Sequence, residues 1–276
     1  MKEEKLNGAG GLEIFVRSWR PPGKVRGVVC IVHGFKSHSG HYLWAAEQLA
    51  ATDLSVYALD LRGRGHSAGE RYFVGKFADY QSDVHLLVSL AKSREAGKSV
   101  FLFGHSAGGV ISCMYALDHQ AELAGLICES FAFEVPAPGL ALVAIKALSY
   151  LAPRLRVLKL PNPAFSRDPA VVEALNNDPL IANEVQPAHT VAEMVRANER
   201  LRKEFPLLKL PVLIIHGTED SVTKPSGSQF FHDTAGSADK TLKLYQGNFH
   251  DPLNDLGKEA VMDDINAWIN ARLPVW

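Results

Sequence analysis

Cysteine is scarce in this chain, with three in 276 residues, at Cys30, Cys113 and Cys128 and each within an apolar run. Three thiols cannot build a disulfide framework, so the fold must rest on a hydrophobic core. A dominant sign of charge is also missing. Lys and Arg number 29 against 30 Asp and Glu, a formal net charge of −1. The basic residues are dispersed rather than gathered in a stripe, which removes the electrostatic footprint of a nucleic-acid binder. No run approaches the ~20 apolar residues that span a bilayer, and the opening Met1–Leu6 lacks the apolar segment of a secretory signal. A cytoplasmic location is the expectation. Internal repeats and low-complexity tracts are absent as well.

What is present is a chain long enough, and at 47% hydrophobic residues apolar enough, for one large domain with an insertion. Strand-like and helix-like segments alternate, the pattern of a parallel sheet covered by helices on both faces. Leu12 to Trp19, Val28 to Val32, Ser55 to Leu59, Ser99 to Phe103, Leu123 to Cys128, Val212 to His216 and Leu242 to Tyr245 read as strands. Tyr42 to Ala51 reads as a helix, and Phe77, Tyr80, Val84, Leu87, Val88 and Ala91 mark one face of a longer one. Val261, Ile265, Trp268 and Ile269 mark the last.

The most informative motif is Gly104-His105-Ser106-Ala107-Gly108, set between a strand and a helix. A sharp strand-to-helix turn forces its central residue into a strained backbone conformation, and its neighbours must be nearly free of side chain. The spacing therefore predicts that Ser106 is lifted above the sheet at a helix N-terminus, with the Ala107 N–H free to bind an oxyanion. A bare G-x-S-x-G arises by chance in about one in ten chains of this length, so the motif needs partners.

Those partners follow in the order nucleophile, acid, histidine. Asp220 closes the loop after the Val212 strand, and His250 closes the loop after the Leu242 strand. A serine hydroxyl becomes nucleophilic when a histidine removes its proton, and a carboxylate fixes the imidazole tautomer. Glu219, Asp251 and Asp255 are rivals for the acid, but Glu219 should face away and the other two lie too close to His250 in sequence. A second oxyanion donor is expected from the Phe35 N–H, where Val28 to Val32 ends in His33-Gly34-Phe35.

Residues 131–210 interrupt the alternation and carry nine prolines. We expect core residues 1–130 and 211–276, with 131–210 as a helical cap of short helices over Ser106. Within it, Gly139 to Leu151 is apolar almost all round, with Lys146 its only charge. Such a helix should offer one face to substrate or lipid, and Leu142 and Ile145 are its expected substrate contacts. Arg62-Gly63-Arg64-Gly65 lacks the context of a phosphate loop and reads as a turn. The spacing of His33, His38 and His41 fits no HExxH helix, so a structural or substrate-lining role is expected for them, and His105 should pack below the site.

Taken together, Val32-His33-Gly34 with His38-Ser39-Gly40-His41-Tyr42, Asp60-Leu61-Arg62-Gly63-Arg64-Gly65-His66-Ser67, the serine motif, Ser166-Arg167-Asp168, Asn177-Asp178-Pro179-Leu180 and His216-Gly217-Thr218-Glu219-Asp220 resemble the monoacylglycerol lipase and lysophospholipase-like branch of the serine α/β-hydrolases. The resemblance spans nearly the whole chain. It implies an α/β-hydrolase fold, mostly parallel with helices on both faces and an inserted helical cap. It implies cleavage of a small acyl ester through an acyl-enzyme, with no metal or organic cofactor. Ser106, Asp220 and His250 would be the triad, and Phe35 and Ala107 the oxyanion donors. Lys36-Ser37 and Ala107 depart from residues common in relatives and bear on substrate choice. Transient contact of the cap with lipid surfaces fits the apolar helix. A related aminopeptidase, an acyltransferase and a non-catalytic ligand binder are the competing readings.

Overall fold

The computed structural model describes residues 1–274. Six strands precede the interruption: β1 (Lys2–Asn7), β2 (Glu13–Trp19), β3 (Gly27–Val32), β4 (Leu54–Leu59), β5 (Val100–His105) and β6 (Gly125–Glu129). Within the interruption, β7 (Arg156–Leu158) and β8 (Gln186–Pro187) form a small antiparallel ribbon. Beyond it come β9 (Val212–Gly217) and β10 (Lys240–Tyr245). The main sheet has the order β1-β2-β4-β3-β5-β6-β9-β10. Pairing is antiparallel from β1 to β2 and from β2 to β4, and parallel across the rest.

The central strands are fully buried because helices cover both faces, and period-2 alternation divides their side chains between two cores. Val28, Cys30 and Val32 of β3 enter one core with Val100 and Leu102 of β5, while Val29, Ile31, Phe101 and Phe103 enter the other. The helices are α1 (Leu43–Ala50), α2 (Phe77–Arg94), α3 (Ala107–Asp118), α4 (Gly139–Leu151), α5 (Pro169–Asn177), α6 (Ala188–Glu204), α7 (Pro225–Thr234) and α8 (Lys258–Asn270). Helices α2 and α3 pack in the first core; α1 and α8 close the second. The three cysteines are buried and unbridged. No helix among the described residues is long and apolar enough to cross a membrane.

Helices α4, α5 and α6 and the β7–β8 ribbon occupy the interruption. β6 pairs directly with β9 in parallel, Leu126 opposite Val212 and Glu129 opposite Ile215, so the interruption leaves at one end of the strands and returns at the other, with Met194, Ala197 and Leu201 of α6 packed into the first core on the way. The β7–β8 ribbon was not expected among short helices, and outside the interruption one further strand and one further helix are additional to those read from sequence. Strand β1 is mostly charged and lies at the sheet edge, with only Glu4 and Leu6 half-buried, and α7 is a polar stretch begun by Pro225. Helix α6, at 17 residues, is longer than the short helices expected here.

Candidate active site

Strand β5 runs into α3 through Ser106, whose φ of 54° and ψ of −118° lie where a non-glycine residue is strained. Sheet and helix together hold it there. The Ser106 N–H donates to Glu129 O at 2.8 Å, and Ser106 O accepts from Gly109 N at 3.0 Å. The flanking glycines are required by close approach. A Cβ on Gly104 would stand 2.6 Å from Ser112 Oγ, and one on Gly108 would overlap the carbonyl oxygens of Val32 and His33.

The loops after β9 and β10 bring the two other expected residues to this turn. Ser106 Oγ lies 2.9 Å from His250 Nε2, and His250 Nδ1 lies 2.8 Å from Asp220 Oδ2. A carboxylate only accepts, so Nδ1 carries the proton and Nε2 presents a lone pair to the serine hydroxyl. The Asp220 side chain is fully buried. Its Oδ1 accepts from the N–H groups of Val222 and Thr223 at 2.7 and 2.9 Å, and Oδ2 accepts from Thr223 Oγ1 at 2.7 Å. His216 Nε2 stands 3.0 Å from the same Oδ2, with its Nδ1 at 2.7 Å from Ser228 Oγ. Burial by itself would raise the Asp220 pKa, but the charge and hydrogen bonds of His250 and His216 outweigh it and hold the carboxyl far below the usual range. His216 and Thr223 were not singled out from sequence. The His-Gly-x-x-Asp spacing, which sets His216 four residues before the acid, was the only trace of His216.

The rival carboxylates are engaged elsewhere. Glu219 is exposed, Asp255 binds Arg167 Nε at 2.9 Å and Phe249 N at 2.8 Å, and Asp251 turns toward the sheet interior beside His105 and Glu129.

Above Ser106 lies a cavity of about 410 Å³, within the range of small-molecule sites. Phe35 and Ala107 line its floor, and Leu142, Ile145, Val157 and Met194 line its wall from residues 131–210. Lys159 is the one charged side chain at its surface, and no carboxylate lines it among the described residues. The outer side of α4 exposes Leu140, Val143, Tyr150 and Leu151.

The histidines of the β3 loop serve as fasteners. His33 Nε2 accepts from Leu61 N at 2.9 Å, and its Nδ1 donates to Gly34 O at 2.7 Å. His38 Nε2 and His41 Nε2 each reach Asp178 Oδ2 at 2.8 Å, tying the loop to residues 131–210. Burial alone would raise the Asp178 pKa; hydrogen bonds from His41 and His38 hold it far below the ordinary value. These three could converge on a cation, but the nitrogens facing Asp178 already donate to it. A second tie is buried deeper. Glu184 accepts from Lys36 N at 2.7 Å and pairs with the Arg64 guanidinium, which also donates to Gln186 Oε1 at 2.6 Å and lies 4.3 Å over the Phe35 ring. It grips the turn at Lys36, where φ is 55°. The Arg62–Gly65 segment is the expected turn, with positive φ at Gly63 and Gly65.

The sheet order, with a strained serine where β5 meets α3 and an insertion between β6 and β9, defines an α/β-hydrolase. A family model described as "Serine aminopeptidase, S33" matches residues 23–257. The monoacylglycerol lipase of Mycolicibacterium smegmatis is 32% identical over 274 residues, covering 98% of each chain. The human monoglyceride lipase is 32% identical over 272 residues, 97% of this chain and 90% of that one. Among solved structures, the monoacylglycerol lipase of Paleococcus ferrophilus matches with a TM-score of 0.86 at 28% identity, over 94% of this chain and 99% of that one. The chain belongs to this family, the monoacylglycerol lipase-like branch of the serine α/β-hydrolases. It is an enzyme of the lipase and esterase class.

Proposed function

We propose that Ser106, His250 and Asp220 form the catalytic triad of an ester hydrolase acting on monoacylglycerol-like substrates, with residues 131–210 as the cap that shapes its pocket. The observation that carries this reading is the line from Ser106 Oγ to His250 Nε2 at 2.9 Å and from His250 Nδ1 to Asp220 Oδ2 at 2.8 Å. His250 takes the hydroxyl proton as Ser106 Oγ attacks the ester carbonyl. The backbone N–H groups of Phe35 and Ala107 receive the oxyanion, each such donor worth about 3 to 4 kcal/mol of barrier. Collapse breaks the bond to the alkoxy oxygen, and the His250 proton goes to the departing alcohol. A water, deprotonated by His250, then attacks the acyl-serine and releases the acid.

The apolar wall with Leu142 and Ile145 suits an acyl chain. The bare apolar side of α4 suits transient contact with a lipid surface that supplies such esters. An aminopeptidase must hold a free ammonium group, and a cavity whose single charged side chain among the described residues is Lys159 offers no partner for one. Fluorophosphonate labelling tests the assignment. The wild type should be modified at Ser106 and S106A should not, with ester turnover falling at least about a thousandfold. Labelling at another residue, or turnover that survives S106A, would reject it.

A further inference from the structure

Beneath the triad lies a second cluster of buried groups that the proposed chemistry does not use. His105 precedes Ser106, Asp251 follows His250, and Glu129 ends the neighbouring strand β6. Their facing polar atoms all lie within 4.8 Å of one another. His105 Nε2 is 3.1 Å from His250 O. A carbonyl only accepts, so this nitrogen carries the ring proton and Nδ1 is a lone pair. Glu129 Oε1 accepts from Leu253 N at 2.9 Å, and Asp251 Oδ2 accepts from Asn254 Nδ2 at 3.0 Å. The remaining atoms, His105 Nδ1, Glu129 Oε2 and Asp251 Oδ1, are buried acceptors with no hydrogen-bond partner among the described residues.

Such an arrangement is untenable when both carboxyls are ionised. Neither makes an ion pair with lysine or arginine among the described residues, and Glu129 and His105 are fully buried. Around them stand Tyr42 from the segment before α1, Tyr245 from β10, and the triad residues Asp220 and His250. None brings a permanent positive charge. Two like charges in a low-dielectric pocket are relieved by taking up one proton.

We propose that Glu129 is held as the neutral acid at neutral pH, and that its carboxyl proton, shared within the His105–Glu129–Asp251 cluster, makes it a positioning residue between the nucleophile turn and the histidine loop. Its placement suits that role. The Glu129 carbonyl accepts the Ser106 N–H at 2.8 Å, and its side chain holds Leu253 N on the loop that carries His250. Burial, then the neighbouring Asp251 charge, pushes its pKa well above the ordinary carboxylate value.

The kinetic half of this proposal rests on the triad reading; the thermodynamic half does not. An unfolded Glu129 titrates near pH ~4.3. Above that pH the folded chain therefore holds one proton that the unfolded chain releases, and rising pH favours unfolding until the folded group itself ionises. Urea unfolding of wild type and E129Q between pH 5.5 and 8.5 should show their unfolding-constant ratio, wild type over variant, rising about tenfold per pH unit. A flat ratio overturns the proposal. If E129Q does not fold, carboxyl carbon NMR of wild type with labelled glutamate decides. One glutamate should remain protonated at pH 7.5, and a fully ionised set overturns it. Metal analysis of wild type and D251N covers the competing occupant, and one equivalent of a divalent metal in wild type, lost in the variant, overturns it. For the positioning role, E129A should lower kcat about tenfold or more with KM little changed, and E129Q should restore most of it and flatten the alkaline limb of the pH profile. An E129Q enzyme as impaired as E129A overturns that role. Failure of Ser106 labelling would reject the triad while leaving the unfolding result intact.

Discussion

His216 sets its Nε2 3.0 Å from Asp220 Oδ2, the same oxygen that His250 Nδ1 approaches at 2.8 Å. One carboxylate oxygen thus serves two imidazoles, and only one of them faces the serine. The second fixes the direction of the lone pairs left for the first. H216N should lower kcat about tenfold without a matching change in KM, whereas D220N should lower it about ten-thousandfold. Steady-state kinetics on one soluble ester compares the two, and equal losses would assign His216 a larger role than orientation.

Acid should destabilise the fold through two histidines kept neutral inside it. Burial pushes His33 down to about 3 and His105 down to about 4. Their unfolded pKa is about 6.5, so the unfolded chain binds more protons than the folded one once the pH drops below that value. Their stabilisation is complete above pH ~6.5 and is lost as pH falls toward the folded values, at about 1.4 kcal/mol per pH unit for each. Urea melts of wild type and H33N between pH 6.5 and 4.5 should differ in slope by one proton.

Leu142 and Ile145 should read the length of the acyl chain. A buried methylene contributes about 0.8 kcal/mol. L142N and I145N should therefore lower kcat/KM for a long-chain monoacylglycerol several-fold more than for a short p-nitrophenyl ester. A chain-length series measures this, and uniform losses would move the acyl chain elsewhere in the cavity.

Arg64 is almost fully buried, and Glu184 is its only charged partner in the ion pairs described. E184Q keeps an oxygen for Lys36 N but leaves the guanidinium charge without its counterpart, a defect worth about 3 to 5 kcal/mol. Urea unfolding should show a loss of that order. A change below about 1 kcal/mol would mean that water reaches the pair.

The proposed site was legible because it is written locally. Ser106 declares itself through the glycines beside it, and Asp220 and His250 through the strands that end just before them. The buried strands were equally plain, since β3, β5 and β9 are unbroken apolar runs. Strand β1 was not, because an edge strand bearing Lys2, Glu3, Glu4 and Lys5 has the composition of a loop. The ties from Asp178 to His38 and from Glu184 to Arg64 were also invisible. Each joins residues more than a hundred positions apart, and a charged side chain reads as surface until its counter-ion is found. The role of Glu129 was hidden for the same reason, since strand periodicity marks it only as the polar end of β6.

Because β6 and β9 are parallel neighbours in the sheet, the chain between them leaves above the serine and must cross back to the opposite end of the strands, and Met194, Ala197, Leu201 and Phe205 join the first core on that return. On the proposed reading, selection can rewrite what the enzyme accepts by exchanging chain ahead of that return, provided the backbone bonds of Ala164 and Phe165 to His250 and Asp251 are kept. The tethers at Asp178 and Glu184 set a further limit on that freedom: a transplanted segment must bring its own anchors, or the turn at Lys36 loses its brace.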